Sequence, residues 1–439
     1  MKIRTFVRVF TILFLALVLT GSAMASVNVK HGRWYSLEEE SGNLDEIKFV
    51  VGDEYVFQYT PQSQNVTWKI TAPDGTERVY MGNPIKIKFE ESGEYILNVS
   101  SENNQESYQI AVHEGPLGAY LALVGAGIAV GASGMGAAIG VGIAGASGAA
   151  AIAEDPKRFR NALIFQAFPQ TQAIYGLLIG ILILMYTHAF ASPLEISIDV
   201  PVGVGLLALG AGLSVGIAGL SAIGQGIVAG TGIGVTQKPG TFGKAVVFTV
   251  LPETQAIYGL LIAILLLQGI NTKAPTLYAL GMGLAAVGVG LGMGLSGITA
   301  IGQGIAASSG CAATAQNPRA FSSSVIFAVL PETQSIYALL AGILVINSLH
   351  LMGGTLPRFS GYQLLLIGIG ALGIGFSVGL AGISGIGQGI TAGAGSAAYV
   401  KNPSTRSKSI ILSVMSETFA IFGLLMAILI MMALGIFGG

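Results

Sequence analysis

The sequence predicts an all-α membrane protein of eight transmembrane helices in four tandem hairpins, preceded by a signal peptide and a small all-β, sandwich-like domain. Three observations predict this fold. Of the 439 residues, 52% are hydrophobic and only 10% are charged, whereas a soluble domain carries about 25% charged residues. Fifteen of the 22 Asp and Glu residues lie between Glu38 and Glu114. From residue 118 onward, a unit of two long apolar segments occurs four times.

The composition excludes several classes of protein. Gly accounts for 64 residues, but it does not recur at every third position as collagen requires. The apolar majority excludes a disordered chain, and a net charge of −1 gives no sign of a nucleic-acid partner. A single cysteine, Cys311, excludes a disulfide framework, and the four scattered histidines predict no metal site of the Cys or His type.

Residues 1–25 are predicted to be a secretory signal peptide. Three basic residues among the first eight precede an apolar run at 10–19, and Ala-Met-Ala at 23–25 provides a cleavage site. The alternative is an uncleaved anchor helix. Under either interpretation the segment that follows is exported.

Residues 26–115 are predicted to form this exported segment as a sandwich of immunoglobulin-like type. Alternating apolar and polar residues predict strands at 46–51, 54–59, 66–70, 85–89, 94–99 and 106–112. About seven short strands in about 90 residues are typical of such a sandwich. The segment contains no catalytic constellation, so the sequence assigns it no function.

Four hairpins are predicted at 116–192, 199–271, 275–349 and 360–438. Their first helices, near 117–151, 201–236, 276–315 and 361–400, are crowded with Gly and Ala. Their second helices, near 160–190, 242–270, 320–348 and 407–437, are bulkier, and every helix exceeds the roughly 20 residues that cross a bilayer. The glycines allow close approach of helix backbones, either in a tight circle of helices or in an ordinary bundle.

Basic residues predict the orientation of the hairpins. The loops inside the hairpins and their flanks carry nine Lys and Arg residues, whereas the loops between hairpins carry only Lys273 and Arg358. This asymmetry places the loops inside the hairpins in the cytoplasm. The exported β domain independently places residue 118 on the outer side.

Three acidic residues lie inside second helices: Glu253, Glu332 and Glu417. The other four acidic residues after position 114 fall in breaks between apolar segments. A charged Glu at bilayer depth costs about 2.5–3.5 kcal/mol on insertion scales. Three of them at one repeat position predict a carrier of cations or protons; a neutral, hydrogen-bonded structural Glu is the alternative.

The repeat extends to the neighbours of these carboxylates. The second helices carry Pro-Gln-Thr-Gln-x-x-Tyr at 169–175, Pro-Glu-Thr-Gln-x-x-Tyr at 252–258 and 331–337, and Ser-Glu-Thr-Phe-x-x-Phe at 416–422. The first helices carry Ile-Gly-Gln-Gly-Ile at 223–227, 301–305 and 386–390, and Ile-Gly-Val-Gly-Ile at 139–143. A dehydrated Na⁺ needs several oxygens, whereas a proton needs only the carboxyl group and a partner, so the additional Gln and Thr residues favour Na⁺ over H⁺.

In these motifs the sequence resembles the membrane rotor subunit of the V-type and A-type ATPases, the c or K subunit (proteolipid), over about residues 117–438. The resemblance implies that each ion site is shared by neighbouring hairpins. The Glu and the first-helix Gln come from one hairpin. The Thr, Gln and Tyr come from the preceding one, with a backbone carbonyl two residues before the Glu position.

The defects in the repeat support sharing. Hairpin 1 lacks the carboxylate and the first-helix amide (Gln170 and Val141), and hairpin 4 has Phe419 and Phe422 in place of Gln and Tyr. If each ion site is shared by neighbouring hairpins, three sites are complete, and every defect falls at one junction, between hairpin 4 and hairpin 1 of the next copy. The three sites combine Gln225 and Glu253 with Thr171, Gln172 and Tyr175; Gln303 and Glu332 with Thr254, Gln255 and Tyr258; and Gln388 and Glu417 with Thr333, Gln334 and Tyr337.

The resemblance further implies a homo-oligomeric ring in the plasma membrane of a bacterium or archaeon, turning against a stator subunit of the a or I type. Lys157, Arg158, Lys238, Arg319 and Lys401 would face the central stalk. No phosphate-binding G-x-x-x-x-G-K-[ST] motif occurs, so the chain is expected to be no enzyme and to hold no cofactor, with ATP chemistry in partner subunits. A self-contained secondary cation transporter or channel is the alternative, although its repeats are often inverted.

Overall fold

The computed structural model describes residues 26–31, 33–37, 49–60, 65–102, 104–113, 115, 117–187, 200–269, 276–352 and 358–436. The predicted signal peptide lies outside these residues, as do most of the loops between hairpins and the first half of the strand predicted at 46–51. The chain divides into two compact units, Met1–Gly115 and Pro116–Gly439.

The described part of the first unit is a sandwich of two sheets around one core. One sheet has the strand order β2-β1-β4-β7 and the other β3-β9-β8-β5-β6. Alternate residues of both sheets, among them Phe57 and Trp68, form the core. The strands are β1 (Ser26–His31), β2 (Arg33–Leu37), β3 (Phe49–Val50), β4 (Glu54–Thr60), β5 (Thr67–Thr71), β6 (Glu77–Met81), β7 (Ile85–Lys88), β8 (Gly93–Ser100) and β9 (Gln105–His113).

The sequence pattern did not predict three of these strands. Among the described strands, β6 is an edge strand that pairs only with β5, and Val79 and Met81 are exposed, so it lacks the alternation of a half-buried strand. β1 and β2 are also additional to the prediction; among the described side chains of β1, two are buried, those of Val27 and Val29. β3 ends before Val51, because the chain turns at Gly52 with a φ of 90°.

The second unit contains the four predicted hairpins, and eight of its described helical spans are long and apolar enough to cross a membrane. Hairpin 1 contains α1 (Leu117–Glu154), α2 (Phe159–Ala167) and α3 (Thr171–Tyr186). Hairpin 2 contains α4 (Val202–Ala218), α5 (Ser221–Val235), α6 (Phe242–Val250) and α7 (Thr254–Gln268). Hairpin 3 contains α8 (Thr276–Gly297), α9 (Ala300–Gln316), α10 (Phe321–Val329) and α11 (Thr333–Ser348). Hairpin 4 contains α12 (Gly361–Gly382), α13 (Gly385–Lys401), α14 (Arg406–Val414) and α15 (Glu417–Ala433).

The second helices, predicted as continuous, are interrupted at their repeated motif. A single 3₁₀ turn separates two α-helical segments at Phe168–Gln170, Leu251–Glu253 and Leu330–Glu332. The proline in each turn has no N–H to donate and its ring crowds the carbonyl four residues earlier, so it disfavours a regular helix there. Hairpin 4 has Ser416 at this position and breaks there with a turn. Glu253 and Glu332 thus end the 3₁₀ turn, and Glu417 begins α15.

The first helices of hairpins 2 to 4 are wound more tightly, in a 3₁₀ pattern, just before the Gly-Gln-Gly motif. Leu220, Ile298 and Ile383 donate their backbone N–H to the carbonyl three residues earlier, a 3₁₀ pattern. α1 of hairpin 1, in contrast, is one unbroken helix. A 3₁₀ segment rises about 2.0 Å per residue against 1.5 Å in an α-helix, so α1 needs an additional residue to span the same length.

The four first helices pack side by side in chain order, and the second helices form an adjoining row. A methyl group added at Gly212, Gly290 or Gly375 would collide with a carbonyl oxygen of the preceding first helix, respectively those of Gly125, Gly210 and Gly288. Because no side chain fits there, the repeated glycines determine the spacing of this row.

Candidate ion-binding sites

The predicted site residues form three polar clusters, one at each interface between consecutive hairpins. We name them clusters 1–2, 2–3 and 3–4 after the hairpins that they join. In each cluster the first-helix Gln and the Glu come from the later hairpin, and the Thr, Gln and Tyr come from the earlier one. Clusters 1–2, 2–3 and 3–4 contain the residues of the predicted sites around Glu253, Glu332 and Glu417, respectively.

Cluster 2–3 shows the common geometry. The Tyr258 hydroxyl donates to Glu332 Oε1 at 2.7 Å, and Gln303 Nε2 donates to Glu332 Oε2 at 3.1 Å. Gln255 Nε2 in turn donates to Gln303 Oε1 at 2.7 Å. Both oxygens of the carboxylate therefore accept hydrogen bonds, one from each hairpin.

The other two clusters repeat this geometry. In cluster 1–2, Tyr175 lies 2.7 Å and Gln225 3.2 Å from the oxygens of Glu253, and Gln172 donates to Gln225 at 2.8 Å. In cluster 3–4, the corresponding distances to Glu417 are 2.7 Å from Tyr337 and 3.2 Å from Gln388. Gln334 donates to Gln388 in the same way. Three hairpin interfaces thus present one chemical arrangement.

At one side of each cluster, a Thr hydroxyl lies near two acceptor oxygens but has only one proton to donate. The Thr254 hydroxyl lies 3.0 Å from the carbonyl oxygen of Leu251 and 3.1 Å from Gln255 Oε1, yet it has a single proton. Thr171 and Thr333 stand in the same relation to the carbonyls of Phe168 and Leu330. A carbonyl, a hydroxyl, two amide oxygens and a carboxylate are ligands suited to a hard cation.

The clusters lie between a closed interior and an open outer surface. All six glutamines of the three clusters are 0% exposed. The three carboxylates, in contrast, are partly exposed, and the neighbouring Ile257 and Ile336 are exposed on the outer surface of the second helices. A bare carboxylate there would face lipid at a high cost, which a bound cation or proton removes.

The positions predicted to be degenerate form no such cluster within the described part of the chain. Gln170, which replaces a Glu, is exposed, and Val141 occupies the place of the first-helix Gln. Phe419 and Phe422 are 62% and 59% exposed and contact each other edge to face. Hairpin 1 therefore contributes only the Thr, Gln and Tyr of its second helix to the clusters, and hairpin 4 contributes only its Gln and Glu.

One group of residues beside the clusters was not predicted from the sequence. Ser221, Thr299 and Ser384 lie four residues before the site Gln, in the tightened part of each first helix. Thr299 hydrogen-bonds to Ser335 of the second helix at 2.9 Å. The signal was present in the sequence, because hydroxyl residues occupy this position in the three hairpins with a Glu, whereas hairpin 1 has Ala137 there.

Comparison with known proteins identifies the repeated unit. The sequence model of the family of ATP synthase C subunits matches residues 124–183, 209–266, 287–345 and 372–430, one match to each hairpin and together more than half of the chain. The chain belongs to the ATP synthase C-subunit family. The predicted resemblance to rotor subunits is therefore confirmed.

Characterised proteins similar to this chain include subunits of both archaeal and bacterial ATPases. The A-type ATP synthase subunit K of Methanocaldococcus jannaschii is 50% identical over 229 residues, which cover 51% of this chain and 95% of that protein. The V-type sodium ATPase subunit K of Enterococcus hirae is 38% identical over 161 residues, 36% of this chain and 96% of that protein. The 16 kDa proteolipid of the V-type proton ATPase of Homo sapiens is 32% identical over 149 residues, 34% of this chain and 90% of that protein.

Membership in the ATP synthase C-subunit family establishes the general role of the chain. It is a membrane-embedded, ion-translocating rotor protein without a catalytic role, so the ATP chemistry is performed by other subunits. Members of this family form homo-oligomeric rings within ATPase complexes. The four-hairpin chain with an N-terminal β domain is an extended form of this family.

Proposed function

We propose that the chain carries Na⁺ across the plasma membrane on Glu253, Glu332 and Glu417, within a ring whose rotation is coupled to ATP hydrolysis or synthesis in partner subunits. The observation that carries the proposal is the repeated cluster at three hairpin interfaces. In each cluster a carboxylate accepts hydrogen bonds from two hairpins beside an excess of oxygen ligands. The five residues of each cluster are proposed as the ion ligands and their direct partners.

Two findings support Na⁺ as the transported ion rather than H⁺. A proton needs only the carboxylate, whereas the additional Thr and Gln oxygens suit a dehydrated cation. The similar K subunit of Enterococcus hirae belongs to an enzyme named a sodium ATPase. The less similar human proteolipid belongs to a proton ATPase.

The proposed cycle follows from the cost of charge in lipid. A loaded site is neutral and can face the acyl chains, whereas an empty carboxylate cannot. A stator subunit of the a or I type would release the ion by placing an Arg beside the carboxylate. The loops inside the hairpins, with their basic residues, would lie in the cytoplasm against the central stalk, and the N-terminal domain would lie outside.

A self-contained secondary transporter is the alternative. It is disfavoured because all four hairpins match one rotor-protein family in the same direction along the chain, whereas such transporters are often built from inverted repeats. The two functions differ in purification: a rotor protein purifies together with a soluble ATPase, and a secondary transporter does not.

Carbodiimide labelling tests the transported ion. At constant pH, we expect millimolar Na⁺ to slow the reaction of dicyclohexylcarbodiimide with Glu253, Glu332 and Glu417, because the reagent modifies the protonated carboxyl group and a bound cation excludes that proton. The measurement is site-resolved mass spectrometry of the labelled complex, with choline as the control cation. If Na⁺ leaves the labelling rate unchanged at all three residues, the proposal of Na⁺ transport is contradicted and H⁺ is the transported ion.

The Tyr258→Phe substitution is expected to weaken Na⁺ protection at Glu332 about tenfold. It removes a hydrogen bond to a charged group, worth about 1.5 kcal/mol. The measurement is the Na⁺ concentration that halves labelling at each carboxylate. Glu253 and Glu417 have their own tyrosines and serve as controls within the same chain. An equal change at all three carboxylates would contradict a local role for the Tyr258 hydroxyl.

A further inference from the structure

Hairpin 3 contains a buried network of hydroxyl groups one helical turn from its carboxylate. The Ser335 hydroxyl, three residues after Glu332, donates to the carbonyl oxygen of Ser296 at 2.9 Å. Because a hydroxyl has one proton, Thr299 is the donor in the 2.9 Å contact between the hydroxyls of Thr299 and Ser335. The side chains of Ser296, Thr299 and Ser335 are 0% exposed. These two hydrogen bonds, which we name the Ser335 bridge, join the first helix to the first turn of α11.

The 3₁₀ winding of the first helix provides the acceptor of the Ser335 bridge. The backbone N–H of Thr299 donates to the carbonyl oxygen of Ser296, three residues earlier, at 3.0 Å. That oxygen has a second lone pair, which accepts the Ser335 hydroxyl. The bridge therefore joins α11 to the backbone of the first helix just before Gln303, the amide of cluster 2–3.

Hairpins 2 and 4 have the first-helix hydroxyl but lack the bridge. Ala256 and Ala420 occupy the position that Ser335 has in hairpin 3. The hydroxyls of Ser221 and Ser384, the counterparts of Thr299, are buried and have no hydrogen-bond partner among the described residues. The same first-helix hydroxyl is thus bonded to the second helix in hairpin 3 and not in the other two.

Hairpins 2 and 4 join their two helices at a point further from the carboxylate. Ser214 donates to the carbonyl oxygen of Gly259 at 2.9 Å, and Ser377 donates to that of Gly423 at 2.7 Å. Both acceptors are six residues after the Glu of their hairpin, and hairpin 3 has a glycine in place of the donor serine. Since a helical turn contains 3.6 residues, the connection in hairpin 3 lies about one turn nearer to its carboxylate.

The start of α11 belongs to two clusters at once. Glu332, directly before this helix, is the carboxylate of cluster 2–3, and Gln334, directly before Ser335, donates to the first-helix amide of cluster 3–4. The bridge also lies against hairpin 4, because a Cβ atom added at Gly382 would lie 3.0 Å from Cβ of Ser296 and 3.9 Å from Cβ of Gln334. Any movement of this helical turn would therefore change both clusters.

We propose that Ser296, Thr299 and Ser335 are positioning residues that hold the start of α11 in its binding geometry, so that clusters 2–3 and 3–4 bind the transported cation more tightly than cluster 1–2. The inference rests on the proposed function of the clusters and adds that the three sites of one chain are unequal. Its physical basis is preorganisation, since ligands that are already fixed lose less conformational freedom on binding. Cluster 1–2 is built from hairpins 1 and 2, which have Ala173 and Ala256 in place of Ser335.

The Ser335→Ala substitution removes both hydrogen bonds of the bridge. It is expected to raise the Na⁺ concentration that halves carbodiimide labelling of Glu332 and Glu417 about fivefold, the effect of one buried hydrogen bond. Glu253 is expected to keep its value, which is the highest of the three in the unchanged chain. A general loss of stability would change all three carboxylates, whereas loss of a direct ligand would change one. The measurement is site-resolved mass spectrometry of the labelled complex.

Two further variants test the hydroxyl groups themselves. Thr299→Ser keeps the hydroxyl, as the serines of hairpins 2 and 4 do at this position, and is expected to leave all three Na⁺ concentrations unchanged. Ala256→Ser places a hydroxyl in hairpin 2 where hairpin 3 has Ser335, and so offers Ser221 a partner. It is expected to lower the Na⁺ concentration at Glu253 and Glu332, whose clusters both use the second helix of hairpin 2.

The possible results separate this inference from the proposed function. Equal Na⁺ concentrations at the three carboxylates of the unchanged chain, or no change in Ser335→Ala, would overturn the positioning role and leave the proposed Na⁺ transport standing. If Na⁺ protects none of the three carboxylates, the proposed function is contradicted instead, and the bridge is tested by a measurement that does not depend on the ion.

That measurement is amide hydrogen exchange of the complex in detergent, followed by mass spectrometry. Residues 336–339 of α11 are expected to exchange more slowly than the corresponding residues 257–260 of α7, because the Ser335 bridge opposes local opening of the helix. Ser335→Ala is expected to abolish this difference. Equal exchange of the two segments in the unchanged chain would exclude the bridge as a positioning element, whichever ion the chain carries.

Discussion

Replacing Glu253, Glu332 and Glu417 together by Gln is expected to abolish ion transport coupled to ATP turnover. Gln has nearly the shape of Glu and retains an oxygen for the hydrogen bonds of each cluster. However, its amide group cannot become negatively charged, so it cannot bind and release a cation as a carboxylate does. The sites would then remain permanently neutral, and rotation could no longer be linked to loading and release. The measurement is ATP-driven Na⁺ uptake into vesicles that contain the reconstituted complex.

The matched control is Glu154→Gln, which removes a carboxylate at the exposed end of α1, where the carboxylate accepts a hydrogen bond from Gln237. This variant is expected to transport normally, because surface pairs contribute little. Native mass must show intact rings for both proteins. Undiminished transport by the triple variant would refute the assignment of the three carboxylates as carriers and, with it, the proposed mechanism.

The Gly290→Ala substitution is expected to destabilise the hairpin unit by about 3 kcal/mol, toward the upper end for overpacked cores. The new methyl group would collide with the carbonyl oxygen of Gly210 on the neighbouring first helix. Because the obstacle is backbone, only a separation of the two helices relieves the collision. The measurement is thermal unfolding of the detergent-solubilised chain followed by circular dichroism.

Gly234→Ala is the control for this substitution, because an added Cβ there meets nothing within 4 Å. Replacing Gly by Ala in an open helix favours the helix slightly, since Ala loses less backbone entropy on folding. The control is therefore expected to be neutral or slightly stabilising. Equal unfolding temperatures for the two variants would show that the row of first helices is not packed at this distance.

Local patterns were sufficient to predict the membrane part of the fold. Long apolar segments, a charge-poor composition and a repeated motif predicted eight helices in four hairpins, and the described residues contain them. The mixed outcome in the β domain has a physical reason. Strands with one buried face, such as β4 and β9, alternate clearly, whereas the edge strand β6 exposes both faces and gives no such signal.

The order of residues along the chain was sufficient to predict which residues could form a site: three carboxylates at one repeat position, their Gln, Thr and Tyr neighbours, and a complementary pair of defects in hairpins 1 and 4. Spacing along one chain cannot specify which oxygen meets which donor, because that depends on how neighbouring helices pack. The contacts of Tyr258 and Gln303 with opposite oxygens of Glu332 follow from the packing of hairpins 2 and 3 against each other. Tertiary packing likewise distinguishes glycines that touch a neighbouring helix from those of α1 that remain open, since identical glycines differ only in what lies opposite them.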